Sequence, residues 1–126
     1  GSNWEAAAAA SHYRLDNLLL VVDRNALQMG GRTVDVMSYE PLEKRWEAFG
    51  WSVRIIDGHS MAEVVENASG IPFEPGKPSV LIADTIKSKG VSFAENKAEY
   101  HYWAATPEGI ALAEKDLEEV ERRLAQ

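Results

Sequence analysis

Three short apolar runs constrain this chain more than any other feature. They cover residues 18–22, 53–56 and 79 to about 85, and polar or charged residues close each one: Asp23-Arg24-Asn25, Asp57-Gly58-His59 and Thr85-Ile86-Lys87. Runs of this length suit buried strands and are far below the roughly 18 residues that a membrane span needs. Helix-patterned segments separate them, so the sequence alternates helix and strand. Near-continuous apolar strands alternating with helices predict an α/β fold, a parallel sheet with helices on both faces. In such sheets ligands bind beyond the carboxyl ends of the strands, which here are the three polar clusters.

The helical segments carry their own signals. Asn3 to about Tyr13 is rich in alanine, the best helix former. A loop holds Gly30-Gly31, and a helix over about Pro41 to Phe49 puts Leu42, Trp46 and Phe49 on one face before Gly50 stops it. Ser60 is placed to cap a helix from Met61 to about Ala68. Thr106-Pro107-Glu108 opens the last helix as N-cap, first-turn proline and dipole-matched acid. Its expected buried positions are Ile110, Leu112, Leu117, Val120 and Leu124. The first helix has no strand before it, and three strands make a small sheet. The chain is therefore expected to be a partial fold, missing at least one N-terminal strand.

At 126 residues the chain suits one compact domain. It has no cysteine, which excludes disulfides, thiolate metal sites and a cysteine nucleophile. A formal net charge of −7 argues against nucleic acid or an anionic membrane as partner. The first residues have neither the basic region nor the apolar core of a signal peptide, and a cytoplasmic location is expected.

Several residues could carry chemistry. Asn25 directly follows the first strand, and its amide oxygen is a hard donor suited to magnesium or calcium; the carbonyl of Leu27 could turn to the same ion. The plainer reading is a turn residue after a strand. His101 lies in the aromatic stretch Tyr100-His101-Tyr102-Trp103, where it could bond a phosphate, shuttle a proton or simply pack. His59, at a strand's carboxyl end, is a candidate site residue, whereas His12 inside the first helix reads as structural. Lys87, Lys89 and Gly90 read as an anion-binding edge or a solvated basic turn. Trp46, Phe49 and Trp51 read as core.

Taken in order, several phrases resemble transketolase, in particular the N-terminal subunits of transketolases split over two genes. They are Gly1 to Ala7, Leu15 to Asn25, Glu40-Pro41-Leu42 through Trp51, Asp57-Gly58-His59, and Lys87 through Phe93 with Glu95-Asn96. The resemblance covers nearly the whole chain. It implies that residues 1–126 are the C-terminal part of a diphosphate-binding domain, and that thiamine diphosphate with Mg2+ (or Ca2+) is the cofactor. It further implies that Asn25 is the side-chain metal ligand and Leu27 the carbonyl ligand. Met29 matches an apolar residue beside the thiazolium, and His101 a histidine near the diphosphate and the donor's reacting hydroxyls. Glu5 matches a carboxylate at the dimer interface.

The implied activity is transfer of a two-carbon ketol unit between sugar phosphates. The implied assembly, a homodimer or heterotetramer, includes a C-terminal transketolase subunit or domain. Two departures stand out: the family's Gly-Asp-Gly, which supplies a charged metal ligand, is absent from the sequence, and the glycine after the histidine is Tyr102. Other expectations remain open: a related thiamine-diphosphate synthase of the deoxyxylulose-phosphate type, or a catalytically inactive fragment or assembly subunit.

Overall fold

In the computed structural model, which describes residues 1–125, the elements in chain order are α1 (Ser2–His12), β1 (Leu19–Arg24), β2 (Leu27–Gln28), β3 (Gly31–Arg32), α2 (Thr33–Val36), α3 (Leu42–Ala48), β4 (Ser52–Asp57), α4 (Met61–Ser69), β5 (Ser79–Asp84), a 3-10 turn (Ala98–His101) and α5 (Pro107–Leu124). They group into two compact units, residues 1–24 with 39–85, and residues 25–38 with the chain from Ile86 onward.

The first unit is built on a parallel sheet in the order β1-β5-β4. The last strand in sequence is the central one. Its run is accordingly covered on both faces, with Val80 and Ile82 at 0% and Leu81 at 1% exposure. The edge strands are only partly covered, leaving Val21 56% and Ile55 47% exposed. Full burial of every apolar run, as the sequence suggests, thus holds for β5 alone. In register, Arg24 pairs with Asp84 and Asp57 with Asp84, so three charged residues share the carboxyl edge.

α1 and α3 cover one face. Ala7 and Ala10 are buried there because small side chains let the helix approach the sheet, beside Trp46, Trp51, Val80 and Ile82. Trp46 lies 5.1 Å from Trp4 and 5.2 Å from Trp51, ring centre to ring centre, and Trp4 stacks on Phe49 at 5.3 Å. The Trp51 indole N–H donates to the Ala7 carbonyl at 3.0 Å, tying β4's entry to α1. Gly50 ends α3 at φ +85, a conformation that favours glycine. α4 lies on the opposite face, where Ile56, Leu81 and Ala83 pack with Val64 and Phe73. Its predicted cap is present: the Ser60 hydroxyl accepts from the Glu63 N–H at 3.3 Å.

The second unit differs more from the sequence reading. The expected loop around Gly30-Gly31 is a small hairpin, β2 and β3 joined by Met29-Gly30, followed by the single turn α2. α5 starts as predicted, with the Thr106 hydroxyl accepting from the Gly109 N–H at 3.1 Å. Its expected burial is corrected: Ile110 is 45%, Leu112 42%, Leu117 48% and Leu124 82% exposed. The sheet described in this unit is only the two-residue-strand hairpin, too small to cover an 18-residue helix. Leu117 and Val120 instead border Gly90, whose Cβ, if present, would meet them at 3.8 and 3.7 Å. Among the described residues no helix is long and apolar enough to cross a membrane.

Candidate functional site

The carboxyl edge of the sheet is polar, as expected, and bonded within itself. The Arg24 guanidinium grips Asp84 through two contacts, Nε to Oδ1 at 2.5 Å and Nη2 to Oδ2 at 2.9 Å. Its Nη1 lies 3.5 Å from Glu40 and 3.8 Å from Glu43. The bond to Asp84 is the main reason the Arg24 pKa is raised, with smaller contributions from the nearby acids. A guanidinium so occupied is a strut rather than an anion receptor. Beside it the Thr85 hydroxyl donates to Asp23, the Gly58 N–H donates to the Asp84 carbonyl at 2.8 Å, and Asp57 accepts from the His59 N–H at 2.9 Å. The sequence reading located Arg24 at the edge but missed its pairing. The available signal was Asp84, an acid at the same edge of a parallel sheet.

Asn25 follows Arg24 in the chain and opens the second unit. Its Oδ1 accepts from the Leu27 N–H at 3.0 Å, an Asx turn that fixes the side chain over its own backbone. Ala26 at the apex has φ +59, and its carbonyl accepts from the Thr33 N–H at 2.9 Å. Asn25 and Leu27 are half-buried, while Met29 at the hairpin tip is 63% exposed.

The implied metal makes definite demands of this turn. An amide oxygen has two lone pairs, and the Leu27 N–H takes up one. Magnesium binds about six oxygens, often one or two from protein and the rest from phosphate and water. Asn25 and Leu27 fit the neutral part of such a set. Among the described residues no three His, Cys, Asp or Glu side chains gather as a metal-binding group.

His101 ends the 3-10 turn in the same unit, and β3 packs beside that turn. Its ring is exposed and meets Tyr102 edge-on at 4.8 Å. Asn25, Leu27, Met29 and His101 therefore all belong to the second unit, whereas Glu5 is exposed in the first turn of α1 in the first unit. His12 lies at the end of α1, edge-on to Tyr13 at 4.9 Å. Residues 87–96 close on themselves, with the Asn96 N–H donating to the Lys87 carbonyl at 2.9 Å and the Gly90 N–H to Glu95 at 2.9 Å.

The parallel sheet with helices on both faces places the first unit among α/β proteins, which commonly bind ligands beyond the carboxyl ends of their strands. The family model described as "Transketolase, thiamine diphosphate binding domain" matches residues 1–124. The chain belongs to this family. It is 42% identical over 120 residues to one subunit of the apulose-4-phosphate transketolase of Actinobacillus succinogenes, covering 94% of this chain and 43% of that protein. It is likewise 42% identical over 118 residues to the 6-deoxy-6-sulfo-D-fructose transketolase subunit SqwG of a Clostridium species, covering 94% and 43%. The chain thus spans less than half the length of these relatives. Among solved structures, the transketolase of Campylobacter jejuni matches with a TM-score of 0.79 and 30% identity, over 91% of this chain and 18% of that one.

Proposed function

We propose that the protein carrying this chain is a transketolase, transferring a two-carbon ketol unit between sugar phosphates with thiamine diphosphate and a divalent metal. Residues 1–126 would be the C-terminal part of its diphosphate-binding domain. The observation that carries the reading is the Asn25 turn, a fixed neutral oxygen donor directly after a parallel strand, in a chain of this family. In this reading the Asn25 side chain and the Leu27 carbonyl hold Mg2+ or Ca2+ against the diphosphate. Met29 gives the thiazolium an apolar contact, which accounts for a methionine left exposed at the hairpin tip. His101 hydrogen-bonds the diphosphate and the donor hydroxyls. When bound, the cofactor would supply an electron sink; the chain's own residues would bind and orient it.

Two relatives whose names make each of them one subunit of a transketolase support a partner, the C-terminal half, in a homodimer or heterotetramer of the cytoplasm, with Glu5 at an interface. The test is turnover of the complete protein with its partner half, comparing xylulose 5-phosphate with pyruvate as donor. Turnover of xylulose 5-phosphate supports the proposal, and preference for pyruvate shifts it to a deoxyxylulose-phosphate-type synthase. A second reading is a catalytically inactive fragment or assembly subunit of a thiamine-diphosphate enzyme. No turnover with either donor selects that one.

A further inference from the structure

His101 is exposed on a short turn, and its own side chain does little to fix its place. Its neighbours on both sides are held instead. The Phe93 ring lies 5.6 Å from Tyr100 and 5.5 Å from Trp103, one ring bridging the residue just before His101 and the residue two after it. Trp103 also presses on α5: a Cβ at Gly109 would fall 2.7 Å from its ring, so the absence of a side chain at Gly109 leaves the space that the indole occupies. Lys97 adds a strut, donating to the Phe93 carbonyl at 2.7 Å while lying 5.7 Å from the Tyr100 ring. Phe93 is fixed through the residue before it. The N–H and hydroxyl of Ser92 both donate to one Asp116 carboxylate oxygen, at 2.8 and 2.7 Å. The path runs from α5 through Asp116 and Ser92 to Phe93, and from that ring to both sides of His101.

We infer that Phe93, anchored to α5 by the Asp116–Ser92 bond, is a positioning residue for His101. The inference rests on the role proposed for His101. It also explains why an aromatic cluster this size sits outside the main core, and why α5, mostly exposed, is joined to the preceding segment by two bonds to one oxygen. The ring's double contact is the specific element. Leucine at 93 would keep apolar bulk but could not bridge both neighbours; tyrosine would keep the ring.

The test uses the complete, assembled enzyme and a double-mutant cycle, since two residues acting through one effect are not additive. Displacing a group that orients substrate costs about tenfold to a hundredfold in turnover. Phe93→Leu is expected to lower kcat/KM by at least about tenfold and to speed amide exchange at residues 98–103. Phe93→Tyr is expected to restore both, and in a His101→Ala background Phe93→Leu is expected to add nothing. Unchanged exchange at residues 98–103 in Phe93→Leu overturns the inference, whatever the activity shows. So does a full additional loss in the His101→Ala background, which would mean that Phe93 acts on fold stability generally. If His101→Ala leaves kcat/KM unchanged, the proposed role of His101 fails, and the inference with it. The exchange data then still report whether Phe93 orders the segment, so the two failures are told apart.

Discussion

Replacing Gly58 with alanine probes how tightly the carboxyl edge of the sheet is packed. Gly58 sits where β4 passes the end of β5. An added Cβ would lie 2.5 Å from Thr85 Cγ2, 3.0 Å from Ala83 Cβ and 3.1 Å from the Asp84 carbonyl oxygen. Carbon atoms prefer roughly 3.5–4.0 Å, so the first contact is about an ångström too close. Thr85 could relieve it by rotating, but its hydroxyl is bonded to Asp23. The other two contacts involve β5, which is paired on both sides and cannot shift without disturbing two ladders. Overpacking of this kind costs about 1–3 kcal/mol, and weakening the Gly58 N–H bond to Asp84 adds about 1 kcal/mol, giving a loss of about 2–4 kcal/mol. Urea denaturation followed by tryptophan fluorescence measures it, since four tryptophans report. Adding Thr85→Ser removes the offending methyl and keeps the hydroxyl, so the double variant should recover about half of the loss. A Gly58→Ala protein within about 0.5 kcal/mol of the parent, the range of an ordinary surface change, would mean that the edge yields to the added methyl without strain.

Two further outcomes follow from other contacts. Trp51→Phe removes the buried indole bond to the Ala7 carbonyl and is expected to cost about 1–3 kcal/mol, read by the same denaturation, whereas Trp103→Phe, at the 45% exposed indole, should cost less. The Asp116 carboxyl is held below the ordinary aspartate value, first by the Ser92 hydroxyl bond and then by the Ser92 N–H. A depressed folded pKa means that its support is complete above the unfolded value of about 3.9 and disappears as pH falls through the lower folded one. Ser92 amide exchange should therefore accelerate in acid below that value, and Asp116→Asn should abolish the pH step.

The sheet was legible because its strands are short, largely apolar runs closed by polar residues, even with Arg54 inside β4, and α3, α4 and α5 because Gly50, Ser60 and Thr106 mark their ends. The strand order was not: nothing in residues 79–84 announces the central place, although the burial of residues 79–83 agrees with it. The β2–β3 hairpin escaped notice because two-residue strands leave no periodicity to read. The leucines of α5 misled, since helical spacing shows which residues share a face and says nothing of whether a neighbour covers it. At the candidate site, Asn25 was distinguishable from an ordinary turn residue only through the family phrases. The Arg24–Asp84 pair, 60 residues apart in sequence, needed the parallel register to bring it together.

As proposed, Asn25 is the neutral anchor of a thiamine-diphosphate and metal site. Calorimetric titration of thiamine diphosphate with magnesium tests it most directly, on the 126-residue chain, the complete assembled protein and its Asn25→Ala variant. Weak or no binding is expected for the chain alone, binding for the complete protein, and affinity reduced by about tenfold to a hundredfold in the variant, as for loss of a group that supports a metal. Micromolar affinity for the chain alone, or a variant that binds as tightly as the parent, would contradict it.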